Sequence, residues 1–217
     1  RPRCMGAIYW QLNDCWPVVS WSSVDYCGRL KALHYYAKRF FALLMISCEE
    51  QGMMNVEANM NREHFVFEKS IRLNVANETM KDAQVTVRWA IRNPQAEILT
   101  SGEETLTVPA LTSVWLEKKE FPDADIFSHY ASYELIEDGE VISDGTVNFS
   151  YPKYFRYEDP CLTYRVEGDE IVVSAKAYAK SVEVQNENED LVLSDNYFDH
   201  NADEKRVKVI SGSTENL

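Results

Sequence analysis

The feature that most constrains the fold is the alternation of apolar and polar residues in short runs of the sequence. Residues 71–75 and 85–91 are the clearest examples, with an apolar side chain at every second position. A period of two places those side chains on one face of a β-strand, so each run predicts a half-buried strand. The chain is therefore expected to be mainly β.

Turn sequences separate these runs, and Tyr151-Pro152-Lys153-Tyr154-Phe155 marks a boundary that divides the β-region into two parts. The separating sequences are Asn93-Pro94, Pro109, Pro122-Asp123 and Asp138-Gly139, the last of them typical of a two-residue hairpin. About seven predicted strands in residues 43–152 suit the size of an immunoglobulin-like β-sandwich. Further runs at 162–166, 170–175, 181–184 and 206–210 predict a second, smaller β-sandwich in residues 153–217.

The first 42 residues follow a different pattern. Residues 5–13 begin with an apolar run that predicts a strand, and residues 29–41 carry apolar side chains at spacings of three and four, which predict an amphipathic helix. A strand, a loop and a helix form one β/α unit, which cannot bury its own apolar faces. We therefore expect this unit either to fold back onto the first sandwich or to form a homodimer through residues 5–41.

Charge and composition argue against several classes of partner. The 217 residues include 35 acidic and 22 basic side chains, a formal net charge of -13, and this field repels the phosphates of nucleic acid. No apolar run reaches the ~18 residues that a membrane-spanning helix needs. The five cysteines show no metal-binding spacing, so the sequence predicts no metal or other cofactor and favours a reduced, cytoplasmic protein.

One N-terminal stretch is denser in aromatic and polar residues than any later part of the chain. It reads Trp10-Gln11-Leu12-Asn13-Asp14-Cys15-Trp16-Pro17 and continues with Ser20-Trp21-Ser22, Asp25 and Gly28. This stretch resembles the end of the catalytic barrel of β-mannosidases of glycoside hydrolase family 2. Residues 45–49 and 193–199 resemble later parts of the same enzymes, more weakly.

The resemblance implies a fold and an activity. Residues 1–42 would be the last strand and helix of a (β/α)8 barrel, followed by two immunoglobulin-like β-sandwich domains. The chain is then expected to be the C-terminal part of a retaining exo-β-mannosidase that hydrolyses terminal β-D-mannose residues. Its partners would be β-mannosides and the missing N-terminal domains of the same enzyme.

The resemblance assigns no catalytic residue to this chain. A retaining glycosidase uses two carboxylates ~5–5.5 Å apart, and in the family these are glutamates on earlier barrel strands. One of the family's glutamates follows an asparagine, but the Asn-Glu pairs of this chain fall in turns of the sandwiches and are rejected as candidates: Asn77-Glu78, Asn186-Glu187 and Asn188-Glu189. The chain is therefore expected to be inactive alone.

Four residues are predicted to contact substrate in the larger enzyme. The resemblance places Trp10 as an aromatic floor for the sugar, whose apolar C–H face stacks on such a ring. Asn13 and Asp14 are expected to bind sugar hydroxyls, with a role in orienting the loop as an equal alternative. Trp16 lines an outer sugar site or plugs the barrel mouth.

Two other interpretations remain open from the sequence. The chain also suits a non-catalytic carbohydrate-binding or protein-interaction module, with Trp89 or Trp115 as an aromatic platform, although both are most simply core residues. A cluster of acidic residues and one histidine near the end is interpreted as a solvated loop rather than a metal site: Asp195, Asp199, His200 and Asp203.

Overall fold

A computed structural model describes residues 6–53 and 67–217 of the chain. These residues form two compact units. One unit is Leu43–Glu158, and the other combines Arg1–Ala42 with Asp159–Leu217. Residue 5, the start of the predicted first strand, lies outside the described residues. Within the described ranges, no helix is long and apolar enough to cross a membrane.

A helix follows the segment of residues 6–31, and the first sandwich follows that helix. The elements are α1 (Ala32–Phe40), β1 (Leu44–Gln51), β2 (Ser70–Asn77), β3 (Ala83–Arg92), β4 (Ile98–Val108), β5 (Thr112–Trp115), β6 (Lys119–Glu120), β7 (Tyr130–Glu137) and β8 (Glu140–Asn148). One antiparallel sheet has the order β1-β2-β5, with β6 also paired to β2, and the other has the order β4-β3-β7-β8. The predicted immunoglobulin-like sandwich is thus confirmed.

The core of this sandwich lies between the two sheets, as the alternating pattern predicted. Leu73 and Val75 of β2 face Val85 and Val87 of β3, and all four side chains are buried. Of the residues between them, Thr86 is partly exposed, whereas Asn74 is buried although it is polar. Burial of apolar surface on one face of each sheet contributes most of the energy that holds the sheets together.

A row of aromatic residues flanked by glycines crosses the second sheet. Trp89 of β3 pairs with Gly102 of β4 on one side and with Tyr133 of β7 on the other, and Tyr133 pairs with Gly145 of β8. A Cβ atom on Gly102 would lie 2.6 Å from the Trp89 ring. The glycines therefore leave room for the aromatic rings to lie across the neighbouring strands.

The predicted two-residue hairpin is confirmed at Asp138-Gly139. Glu137 pairs with Glu140, so these two residues alone form the turn between β7 and β8. Both have positive φ angles, 51° and 86°. That conformation is the one a type I′ turn requires, and glycine at the second position adopts it without a steric penalty.

The second sandwich is smaller and confirms the prediction of further β-structure. Its strands are β9 (Thr163–Glu167), β10 (Glu170–Ser174), β11 (Tyr178–Val182), β12 (Val192–Leu193), β13 (Phe198–Asn201) and β14 (Glu204–Ser211). One sheet has the order β12-β14-β10-β9, and β11 pairs with β13. Ile171, Val173, Phe198 and Val207 form the centre of its core.

The helix α1 confirms the amphipathic pattern but docks where the sequence did not predict. Tyr35 and Ala37 are buried, and the Arg39 guanidinium lies 2.6 Å from the Asp195 carboxylate and donates to the Tyr197 carbonyl at 3.2 Å. The partner is thus the second sandwich, and the expectation that this unit folds back onto the first sandwich is wrong for the helix. These polar contacts join residues 156 or more positions apart, so no local sequence pattern predicts them.

The predicted strand at residues 5–13 is wrong over the described residues 6–13. These residues form no ladder there, and the pairing is limited to an isolated bridge between Asn13 and Val24. Ile8, expected to be buried, is 99% exposed. A strand of a barrel takes its hydrogen bonds from two neighbouring strands, and among the described residues no strand pairs with residues 6–13.

Candidate functional site

The segment from residue 6 to residue 31 presents large aromatic side chains to solvent. Trp10, Trp16 and Trp21 are 73%, 63% and 79% exposed. Within this segment the peptide bond between Trp10 and Gln11 is cis. Large exposed apolar surface of this kind marks a site of interaction with a ligand or another protein surface.

Asp14 is the buried centre of this otherwise exposed segment. Its side chain is 1% exposed, and its carboxylate accepts hydrogen bonds from the hydroxyl of Ser20, from the hydroxyl of Ser22 at 2.8 Å and from Nζ of Lys31 at 3.0 Å. The hydroxyl donors and the Lys31 ammonium lower the pKa of Asp14 to about 2. The contacts favour the loop-orienting role over direct contact with a sugar.

Backbone hydrogen bonds brace the same segment. The amide of Val24 donates to the Leu12 carbonyl at 2.9 Å, the Asp14 amide donates to Val24 at 3.1 Å, and the Lys31 amide donates to Ser23 at 2.9 Å. Asn13 is exposed and donates from its side chain to the carbonyl of Asp14 at 3.1 Å. Asn13 and the neighbouring tryptophans therefore project from a loop that is fixed at several points.

Asp25 closes the turn before the helix. Its carboxylate accepts from the Arg29 amide at 2.9 Å and from Nε of Arg29 at 2.6 Å. Burial raises the pKa of Asp25, but the hydrogen bonds and the charge of Arg29 outweigh burial and lower it. Gly28 has a φ of 86°, which this tight turn requires.

The four predicted site residues thus fall into two groups. Trp10, Asn13 and Trp16 are exposed, whereas Asp14 is enclosed by its own loop. Sequence reasoning used Ser20 and Ser22 only for the resemblance and gave them no role. Their spacing of two residues is compatible with both hydroxyls contacting one carboxylate, but the fold of the loop selects Asp14 as that partner.

The rejected catalytic candidates have structural roles. The Asn77 side chain donates to the carbonyls of Lys81 and Val108 at 2.8 and 3.0 Å, and Asn186 donates to the Asp190 carboxylate at 2.6 Å and the Ser213 carbonyl at 2.9 Å. Both asparagines therefore fix turns of the sandwiches, where Asn77-Glu78 and Asn186-Glu187 were expected to lie.

The C-terminal acidic cluster is also occupied by protein contacts. Asp195 pairs with Arg39, Asp199 with Lys180 at 3.0 Å, and Asp203 with His200 at 3.0 Å. Within residues 6–53 and 67–217, no three His, Cys, Asp or Glu side chains are grouped to hold a metal ion.

The two tryptophans of the first sandwich differ in exposure. Trp89 packs against the core, as expected for a core residue. Trp115 is 48% exposed, and the Arg72 guanidinium lies 5.0 Å from its ring centroid, within the range of a cation–π contact. The expectation that Trp115 is a core residue is therefore wrong, because its side chain stands on the outward face of β5.

Comparison with known families assigns both sandwiches to one class. Residues 69–154 match the family described as mannosidase Ig/CBM-like domain, and residues 157–216 match the Ig-fold domain family of mannosidases. The chain is therefore a protein built around a pair of mannosidase-type immunoglobulin-like domains.

Individual relatives narrow this class. The chain is 33% identical to a Bos taurus β-mannosidase over 154 residues, covering 69% of this chain and 16% of the relative. It is 28% identical to β-mannosidase B of Thermothelomyces thermophilus over 216 residues, covering 92% of this chain and 25% of the relative. The chain belongs to the β-mannosidases of glycoside hydrolase family 2, of which it represents a C-terminal portion.

A solved structure of low sequence identity to this chain has the same fold. The crystal structure of a β-D-mannosidase from Dictyoglomus thermophilum matches 93% of this chain and 24% of its own length, with a TM-score of 0.72 at 21% identity. The present chain thus spans a quarter or less of the proteins that it matches here.

Proposed function

We propose that this chain is the C-terminal part of a retaining exo-β-mannosidase that removes terminal β-D-mannose residues. Its β-mannosidase relatives support the substrate class, and one of them aligns with 92% of the chain. In this proposal the two catalytic glutamates belong to the part of the enzyme that this chain does not contain, so the chain alone is inactive.

The observation that carries the proposal is the exposed aromatic surface on a braced loop. Trp10 is 73% exposed although its loop is held by the buried Asp14 network. In a barrel enzyme the loops that follow the strands form the active site. Trp10 then provides the floor on which the sugar stacks, and Trp16 lines the outer part of the site.

Asn13 and Asp14 have different roles in the proposed site. The exposed amide of Asn13 binds a sugar hydroxyl, because an amide both donates and accepts hydrogen bonds. Asp14 acts through Ser22 and Lys31, which it fixes in place, and it is therefore a positioning residue. The predicted sugar-binding set is retained with Asp14 in this indirect role.

The missing N-terminal domains are the proposed partner of the exposed segment. Ile8 and Val19 are 99% and 101% exposed, and the apolar surface of such residues is stabilised by burial against another part of the protein. In the isolated chain the same surface is the proposed contact of a homodimer through residues 5–41. The four described cysteines are free, which supports the further proposal of a reducing, cytoplasmic location.

The test is an assay of aryl β-mannoside hydrolysis by this chain and by the longer protein that contains it. We expect turnover by the longer protein and none by the chain. In the longer protein, Trp10→Ala should lower kcat/KM by at least tenfold, whereas Trp115→Ala, which removes an equally large exposed ring from the first sandwich, should leave it unchanged. Turnover by the 217-residue chain would refute the placement of the catalytic glutamates.

A further inference from the structure

A cleft in the first sandwich has the composition of a small-molecule site and plays no part in the proposed reaction. It has a volume of about 620 Å³ and lies between β3, the start of β4 and the loop that follows β6. Its apolar wall is formed by Trp89, Ile91, Leu99 and Phe121. Ligand pockets typically measure ~300–1,000 Å³ and combine apolar walls with a few polar groups.

The aromatic wall of the cleft is fixed in advance of any ligand. The Trp89 ring packs 5.6 Å from the Phe121 ring, centroid to centroid. The Phe121 amide donates to the Lys69 carbonyl at 2.8 Å, and Nζ of Lys69 donates to the Ala124 carbonyl at 2.8 Å. The loop that carries Phe121 is thus tied to the strand beside it, and a preformed wall reduces the entropy cost of binding.

Two hydrogen-bond donors border this wall. The Asp125 amide donates to Nδ1 of His129 at 3.1 Å, so in the neutral ring Nε2 carries the hydrogen and is a donor. Lys119 pairs with the core residue Ile71 in the sheet and therefore points toward the inside of the sandwich. Its ion-pair partner among the described residues is Glu117 at 3.9 Å, a distance too long for a hydrogen bond.

An acceptor without a protein partner lies on the same border. Asp123 is exposed at the cleft, and within the described ranges its carboxylate has no protein hydrogen-bond partner. The same holds there for Nε2 of His129. Among the polar residues that line the cleft, Lys119, His129 and Asp123 thus have donors or acceptors that are available to a ligand.

We propose that this cleft binds a neutral pyranoside stacked on Trp89, at a site separate from the Trp10 surface. A pyranose has an apolar C–H face and hydroxyls that both donate and accept. Its hydroxyls satisfy Lys119, His129 and Asp123 together. A purely apolar ligand would leave these groups without partners, and the net charge of -13 disfavours an anionic ligand.

The test follows the indole N–H of Trp89 by two-dimensional NMR while the 217-residue chain is titrated with methyl β-D-mannopyranoside and, separately, methyl β-D-glucopyranoside. We expect a saturable shift of the Trp89 resonance with at least one of them. Mannitol, an open-chain polyol without a ring face, should cause no such shift at the same concentration.

Variants locate the binding. Lys119→Ala and Asp123→Ala should each weaken it about fivefold, the loss expected for one hydrogen bond. Trp115→Ala is the matched control and should leave the affinity unchanged. Both border residues lack close partners, so these variants should keep the wild-type NMR spectrum elsewhere. Absence of saturation with both glycosides, an equal response to mannitol, or unchanged affinity in both border variants would overturn the proposal.

Discussion

Replacing Gly102 by alanine tests the aromatic row that crosses the first sandwich. The added methyl group would lie 2.6 Å from Cζ2 and 2.8 Å from Nε1 of Trp89. Nonbonded carbon atoms prefer separations of ~3.5–4.0 Å, so the ring would have to move by about 1 Å. Tyr133 pairs with Trp89 on its other side, and Phe121 packs against the ring. Tyr133 and Phe121 therefore oppose movement of the ring on the sides that they cover.

Two effects of the Gly102→Ala substitution oppose each other. Alanine restricts the unfolded chain and so stabilises the native state by ~0.5–1 kcal/mol. Overpacking of a fixed site costs ~1–3 kcal/mol. Because the blocked atoms belong to a packed ring, overpacking should dominate, and we expect a net loss of about 1–2 kcal/mol in the free energy of unfolding of this sandwich.

The assay is hydrogen–deuterium exchange measured by mass spectrometry on peptides from β3 and β4. Exchange reports on each sandwich separately, whereas denaturation of the whole chain would mix the transitions of two units. A loss of 1–2 kcal/mol predicts exchange about 5–30 times faster in these strands.

Two controls separate steric strain from other effects of the substitution. Ser101→Ala, at an exposed neighbouring position, should leave the exchange unchanged. In a Trp89→Leu background, Gly102→Ala should accelerate exchange much less, because the ring that it strikes is gone. Exchange that is unchanged or slower in Gly102→Ala itself would refute the steric argument.

Three further predictions concern charged side chains of the other unit. The pKa of Asp14 is lowered from 3.8 to about 2, so its contribution to stability is complete above pH 3.8 and is lost as the pH falls toward 2. Limited proteolysis near Lys31 should therefore become faster as the pH falls through this range. Asp14→Asn should give the same faster cleavage at neutral pH. Burial alone would lower the pKa of His200, but contact with Asp203 raises it above 6.5. The contact between protonated His200 and Asp203 therefore stabilises the fold at low pH, and this stabilisation is lost as the pH rises through the raised pKa. Asp203→Ala should flatten the dependence of Tm on pH. Arg39→Met removes contacts of the helix with the second sandwich and should lower the local stability of the helix by about 1–2 kcal/mol. Hydrogen exchange of the helix amides should become faster accordingly.

The strands of both sandwiches were predictable where the signal is local. Val85 and Val87 are buried between neighbours that are at least partly exposed, and this period of two can be read directly from the sequence. The strand β13 was missed because it buries His200 beside Phe198. A buried histidine breaks the apolar alternation although its Nε2 is satisfied by the Val173 carbonyl at 3.1 Å.

The N-terminal unit was harder to predict because distant parts of the protein decide its structure. The apolar run that includes Ile8 suits a barrel strand, but a strand forms only where neighbouring strands pair with it. The docking of Arg39 on Asp195 joins residues 156 positions apart. Neither outcome depends on a property of the local sequence alone.

Asp14 shows why a candidate site can be recognised before its parts are assigned. A carboxylate next to exposed aromatic rings can bind a sugar or hold its own loop in place, and the sequence alone favours neither role. Hydrogen bonds from Ser20, Ser22 and Lys31 favour the role of Asp14 in holding the loop. A network of hydrogen bonds to a buried charge can hold a loop without an apolar core. Trp10 can therefore remain exposed on a fixed support, which is what a stacking surface for a sugar requires.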